Sequence, residues 1–167
     1  VLLWAKRTGA VLELDKKPTT SFRNIAAAVK AADAAENVIF ISYNDDQAAE
    51  IAAIDPDLMM TASAYGDRDV AKLEARGVDR TRLIGWTGVD EPKPYAWQRL
   101  MKVGVEPAFG TLGRKGKRLD DVYLADGDGS EYDALAADGL VLLATDEPYR
   151  VADLIRADDV GREACGR

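Results

Sequence analysis

Val11-Leu12-Glu13-Leu14-Asp15-Lys16-Lys17 begins apolar and ends in charge. Gly9 precedes it and Pro18 follows, so the segment is short and bounded on both sides. It is expected to form a strand over about Val11–Asp15. Successive side chains on a strand alternate between faces. Glu13, Asp15 and Lys17 therefore share one face, and Leu12 and Leu14 share the other. In α/β proteins the C-terminal end of a strand is where chemistry is placed. The plainer reading is that these charges open a solvated loop.

Working outward, the same pattern recurs. Val38-Ile39-Phe40-Ile41 is continuously apolar and β-branched, as a strand covered on both faces should be. Leu58–Ala62, Arg82–Trp86, Val105–Gly110 and Leu140–Ala144 read as further strands, with Pro107 counting against a central position for its strand. Between them lie segments with apolar residues at helical spacing, such as Phe22, Ile25, Val29 and Ala32 behind a Thr20-Ser21 cap. Val1–Thr8 reads as the end of a helix. Four times a helix ends in glycine and a strand follows at once, at Gly9, Gly77, Gly104 and Gly139. Glycine suits the left-handed cap that turns a helix back into a strand. The chain is thus a repeated βα unit with about six strands, which implies a parallel sheet. Two architectures fit, an open doubly wound sheet or part of a (β/α)8 barrel. A complete barrel takes about 250 residues. At 167 residues this chain is short of one by roughly two βα units. The barrel-like domain is expected over 1–156, followed by a polar tail over 157–167.

Composition narrows the chemistry. Hydrophobic residues make up 47% and charged residues 31%, an ordinary soluble balance for one domain. The net charge of −7 argues against a general nucleic-acid backbone binder. No apolar run reaches the roughly 18 residues of a membrane helix, and no secretory signal is visible. The chain opens on Val1 rather than Met, so an upstream part is expected and the compartment, cytoplasmic, periplasmic or secreted, stays open. The single cysteine, Cys165, excludes an internal disulfide and a cysteine-rich zinc site. There is no histidine, which removes Ser-His-Asp and Cys-His catalysis. Any chemistry of these residues rests on carboxylates, Lys, Arg, Tyr or an oxygen-ligated metal.

All strand C-termini of such a fold point to one face. That face gathers Glu13, Asp15 and Lys17, Ser42-Tyr43-Asn44, Thr61 and Ser63, Trp86-Thr87, Phe109-Gly110-Thr111 and Thr145-Asp146. Oxygen ligands of this kind suit Ca2+ or Mg2+, and a Lys beside them could neutralise a phosphate oxygen. Asp146 before Glu147-Pro148 reads as a helix N-cap rather than a ligand. The run Gly113-Arg114-Lys115-Gly116-Lys117-Arg118 is not a phosphate loop, because no Ser or Thr follows Gly116-Lys117. It reads as a solvated loop within Thr111–Gly129, partly balanced by Asp120-Asp121 and Asp126-Asp128. No Gly-x-Gly-x-x-Gly follows any strand.

These residues resemble a known family. In order and spacing, the chain is similar to the C-terminal two-thirds of bacterial glycerophosphodiester phosphodiesterases. Leu14-Asp15-Lys16-Lys17 resembles the family's acidic-x-Lys strand end. Val38–Ile41 with Ser42-Tyr43 resembles its next strand and Ser-aromatic exit, and Trp86-Thr87 its Trp-Thr strand end. Phe109-Gly110-Thr111-Leu112-Gly113 and Ala137-Asp138-Gly139 through Thr145-Asp146-Glu147-Pro148 resemble later segments. The resemblance implies a (β/α)8 TIM barrel that hydrolyses glycerophosphodiesters to glycerol 3-phosphate and an alcohol with a divalent metal, Ca2+ or Mg2+. It implies Asp15 as a metal carboxylate, with Glu13 the alternative, and Lys17 as the catalytic, phosphate-facing residue. Trp86 and Phe109 are the candidate substrate-binding aromatics. The family's two histidines, in a His-Arg and a His-Asp pair, and two more metal carboxylates have no counterpart here. The isolated chain is therefore expected to be inactive, with unpaired strand edges that favour self-association. Two alternatives stand beside this reading: a non-catalytic chain that binds a phosphate ligand or a partner chain, and an open α/β binding or regulatory domain.

Overall fold

The computed structural model describes residues 1–155, so the tail expected at 157–167 lies outside the described residues. In chain order the elements are α1 (Leu2–Thr8), β1 (Leu12–Leu14), α2 (Phe22–Ala31), β2 (Val38–Ile41), α3 (Asp45–Ile54), β3 (Met60–Ser63), α4 (Asp67–Glu74) and β4 (Leu83–Trp86). They continue with α5 (Pro94–Lys102), β5 (Glu106–Gly110), α6 (Leu119–Tyr123), α7 (Ser130–Ala137), β6 (Leu142–Ala144) and α8 (Pro148–Leu154). The four glycines expected between helix and strand all take positive φ, but after Gly77 a 3-10 turn, Arg80–Arg82, intervenes before β4. Gly104, for example, takes φ +77° as α5 turns back into β5.

The six strands are all parallel and follow the sheet in chain order, β1 to β6. A doubly wound sheet reverses direction across the sheet. This one never does, so the chain is a half-barrel with alternating helices, part of a TIM barrel. Side chains divide accordingly. Val38 and Phe40 of β2, Met60 and Ala62 of β3 and Leu83 of β4 face the helices and pack with Phe22, Val29, Ile51, Leu73 and Leu100. Ile39, Ile84 and Ala108 face the other way and form a separate cluster with Met59, Trp86 and Leu142. That cluster is made of strands and strand ends alone and marks the concave face of the sheet.

Gly85 shows how closely the helical layer approaches. A β-carbon there would lie 2.7 Å from Leu100 Cδ1 of α5. Pro107 occupies the second residue of β5, an interior strand, where its carbonyl still accepts from Val141 N at 3.2 Å. Among the described residues, strands β1 and β6 each have a neighbour on one side only. Exposed apolar side chains gather near these edges, with Val11 56% and Val141 51% accessible.

The long segment after β5 departs from expectation. Thr111–Gly129 contains α6 and is anchored by buried polar groups rather than being a solvated loop. Asp120 is fully buried. It accepts from the Tyr132 hydroxyl at 2.8 Å, the Thr145 hydroxyl at 2.8 Å and Asp146 N at 2.9 Å. The Arg118 side chain, 7% accessible, pairs with Asp121 at 3.2 Å, Asp146 at 3.1 Å and Glu147 at 2.5 Å. Burial works against the Arg118 charge, but bonds to Asp146, Glu147 and Asp121 outweigh it and hold the guanidinium above its ordinary pKa. Asp146 is therefore not the cap of α8. Its carboxylate takes Gly113 N–H at 3.0 Å and Arg118, tying the two loops together.

Candidate functional site

The end of β1 is where the sequence placed chemistry, and its geometry follows from strand alternation. Leu12 and Leu14 pack into the helix-side core. Glu13 pairs in register with Ile39 and so shares the concave face with it. Glu13 remains accessible, yet its surroundings desolvate it and push its carboxyl above the usual range. Among the described residues no hydrogen bond or ion pair engages that carboxylate.

The strand stops at Leu14, and Asp15 follows in the exit loop. The Lys17 ammonium donates to Asp15 Oδ2, and the Tyr43 hydroxyl donates to Oδ1 at 3.1 Å. The Lys17 bond, more than any other cause, holds the Asp15 carboxyl below its ordinary pKa, and the same bond raises that of the Lys17 ammonium. Desolvation, then the bond to Asp15, raises the Tyr43 phenol. The Lys17 side chain is 70% accessible and the Asp15 side chain 32%, so the ammonium can meet a solvent-borne anion without rearrangement.

Tyr43 is brought here by the exit of β2. Ser42 Oγ donates to Thr61 O at 2.6 Å, which fixes the strand end against β3. Tyr43 N donates to Gln47 Oε1 at 2.9 Å while Gln47 N donates to Asn44 Oδ1 at 3.0 Å. The Asn44 cap and the Gln47 side chain, which takes the N–H of the residue before the cap, together open α3 and leave the Tyr43 backbone little freedom. Asn44 is the N-cap of α3.

The two aromatics expected near the substrate part company. Trp86 stays on the concave face, half-buried over Gly110, where a β-carbon would come within 3.0 Å of the indole Cη2. It lies three strands from β1, roughly 14 Å across the sheet at ordinary strand spacing. Phe109 is displaced from the site. Its side chain points to the helices, is fully buried and packs against Trp97 with ring centroids 5.8 Å apart. Ala108 and Gly110 hold the concave side of β5, so alternation sends Phe109 outward. Thr87 is structural too, donating to Ala108 O at 2.8 Å and accepting from Trp97 Nε1 at 2.9 Å.

Sequence reasoning placed Tyr43 on this face but gave it no role. The capping pattern Asn44-x-x-Gln47 could have located its backbone, but nothing local indicates the bond to Asp15, 28 residues away. Lys93 was missed altogether. Its ammonium lies near the β4 exit, 3.4 Å from Thr87 O and 3.3 Å from Glu91 O.

The donor set does not amount to a metal site. Among the described residues no three His, Cys, Asp or Glu side chains are grouped closely enough to hold an ion. Glu13 and Asp15 are neighbours on one strand end, and both oxygens of Asp15 already accept hydrogen bonds. Among the described residues no helix is long and apolar enough to cross a membrane.

No protein-family model and no curated protein matches the sequence. Solved structures do. A glycerophosphoryl diester phosphodiesterase from Parabacteroides distasonis superposes with a TM-score of 0.69 at 19% identity, over 90% of this chain and 52% of that one. A glycerophosphodiester phosphodiesterase from Agrobacterium tumefaciens gives 0.60 at 14% identity, over 92% of this chain and 59% of that one. The chain spans about half to three-fifths of the structures it resembles, and the shared property is the fold.

Proposed function

We propose that this chain forms part of a glycerophosphodiester-hydrolysing barrel and supplies its Lys17–Asp15 corner, where the phosphodiester is held. The supporting observation is the accessible Lys17 ammonium, fixed by Asp15 at the C-terminal end of β1. It sits in a sheet wound like part of the phosphodiesterase barrels above. An ammonium there neutralises a non-bridging phosphate oxygen and stabilises the charge that builds as the ester bond breaks. A divalent metal, Ca2+ or Mg2+, would polarise the phosphoryl group in the complete barrel. This chain would lend it Asp15 or Glu13, and among the described residues no complete ligand set stands beside them. Trp86 would line the concave wall further along.

The 167 residues contain no histidine to move protons, and a missing acid or base commonly costs 10²–10⁴-fold. Purified chain is therefore expected to leave glycerophosphocholine intact with Ca2+ or Mg2+ present. Clear metal-dependent turnover would contradict this. A second reading, a non-catalytic phosphate-binding chain, is favoured by the same lack of histidine and, among the described residues, of a grouped carboxylate set. Calorimetry separates the two: metal and glycerol 3-phosphate binding together favours the first, and phosphate binding without metal the second.

A further inference from the structure

Tyr43 is 66% accessible, so burial does not account for its position. Its backbone N–H is nevertheless held by Gln47 Oε1, and its hydroxyl reaches across from the exit of β2 to Asp15, just past the end of β1. Asp15 is thus gripped on both oxygens, by Tyr43 on Oδ1 and by Lys17 on Oδ2. We propose that Tyr43 is a positioning residue which orients Asp15 and, through it, holds the Lys17 ammonium ready for a phosphate group. This rests on the assignment of Lys17 as the phosphate-facing residue.

The geometry gives the phenol a defined job. A carboxylate at the end of a three-residue edge strand can rotate about its side-chain bonds. One acceptor bond to Lys17 alone leaves that rotation available to the pair. A second bond from a separate strand exit fixes the carboxylate plane, and with it the direction from which Lys17 is held. The phenol donates its only proton to Asp15, so it is not itself a phosphate donor. Lys17 keeps two of its three N–H groups for a ligand. The ring is exposed, so removing only the hydroxyl should leave the core unchanged.

The test uses the full chain with Tyr43→Phe, Tyr43→Ala and Lys17→Ala. Two quantities are read: affinity for inorganic phosphate by NMR titration, and the splitting of the two Lys17 ε-methylene protons without ligand. An immobilised ammonium keeps those protons inequivalent; a free one averages them. Tyr43→Phe should weaken phosphate binding by about 2- to 10-fold, the loss expected for one ordinary net hydrogen bond, and collapse the Lys17 splitting at unchanged thermal midpoint. Tyr43→Ala should behave the same way. Lys17→Ala should abolish phosphate binding. If Tyr43→Phe keeps both the affinity and the splitting, the positioning role is overturned while Lys17 stands. If Lys17→Ala binds phosphate as the wild type does, or the wild type does not bind it, the phosphate assignment falls. The splitting in Tyr43→Phe then still decides whether Tyr43 orders the pair.

Discussion

Removing the Asp120 carboxylate should be the most damaging single change in the second half of the chain. Asp120→Ala deprives three donors of their acceptor: the Tyr132 hydroxyl, the Thr145 hydroxyl and Asp146 N–H. A buried polar group left unpaired costs about 1–3 kcal/mol. Tyr132 is only 2% accessible and bears this in full. Thr145 and Asp146 lie in a loop that water can reach, so part of their loss is recovered. The net expectation is about 2–4 kcal/mol of destabilisation. Asp120→Asn keeps one acceptor oxygen but turns an amide toward a donor, and should cost roughly half as much. Urea unfolding followed by tryptophan fluorescence is the assay, since Trp97 lies in the same core cluster as Tyr132. With a slope of about 2 kcal/mol/M, Asp120→Ala should lower the midpoint by about 1–2 M at unchanged slope. A variant within ~0.5 kcal/mol of wild type would refute the view that this carboxylate anchors the β5–β6 loops.

Gly110→Ala should force Trp86 aside, because its β-carbon would sit 2.8 Å from Val89 Cγ1 and 3.0 Å from the indole. Overpacking of this kind costs about 1–3 kcal/mol, and an unmoved Trp86 indole resonance would contradict it. Asp121 and Asp146 titrate below their ordinary range, chiefly through the N–H groups of Gly116 and Gly113 and then Arg118. Their contribution is fully present above the unfolded carboxyl pKa of about 3.9 and is lost as pH falls through the lower folded value. Arg118→Gln should therefore lower the thermal midpoint at pH 7, with the difference from wild type narrowing in acid; a gap that does not change with pH would count against it. Glu13 has the opposite sign: its raised carboxyl loses stability as pH rises from the unfolded to the folded value, so Glu13→Gln should flatten that slope. The single-sided edges of β1 and β6 should drive association, read by light scattering as a mass above the monomer; a clean monomer would contradict this.

The sequence carried the architecture because βα repetition is local. Apolar runs such as Val38–Ile41 and the glycines closing α1 and α5 mark elements within a few residues. Alternation correctly put Glu13 on the face opposite Leu12 and Leu14. It was not applied to Phe109, where the pairing of Ala108 with Leu142 settles which face is which. Proximity in chain to Gly110-Thr111 suggested the mouth for Phe109, and burial against Trp97 won. The Asp120 and Arg118 networks were illegible for a different reason. Their partners lie 12 to 29 residues away, in Tyr132, Thr145, Asp146 and Glu147. A run rich in Arg, Lys and Gly reads as solvated until tertiary structure supplies carboxylates to bury one of its arginines. Tyr43 belongs with these. Its strand exit was clear, but its bond to Asp15 depends on β1 and β2 being neighbours in parallel register.

The central claim is that the mouth of β1 is a glycerophosphate-facing site built on Lys17. Calorimetric titration of glycerol 3-phosphate into the wild-type chain and into Lys17→Ala tests it most directly. A saturable heat in the wild type that disappears in a folded Lys17→Ala variant is the predicted result. Equal binding by both, or none by a folded wild type, would contradict the claim.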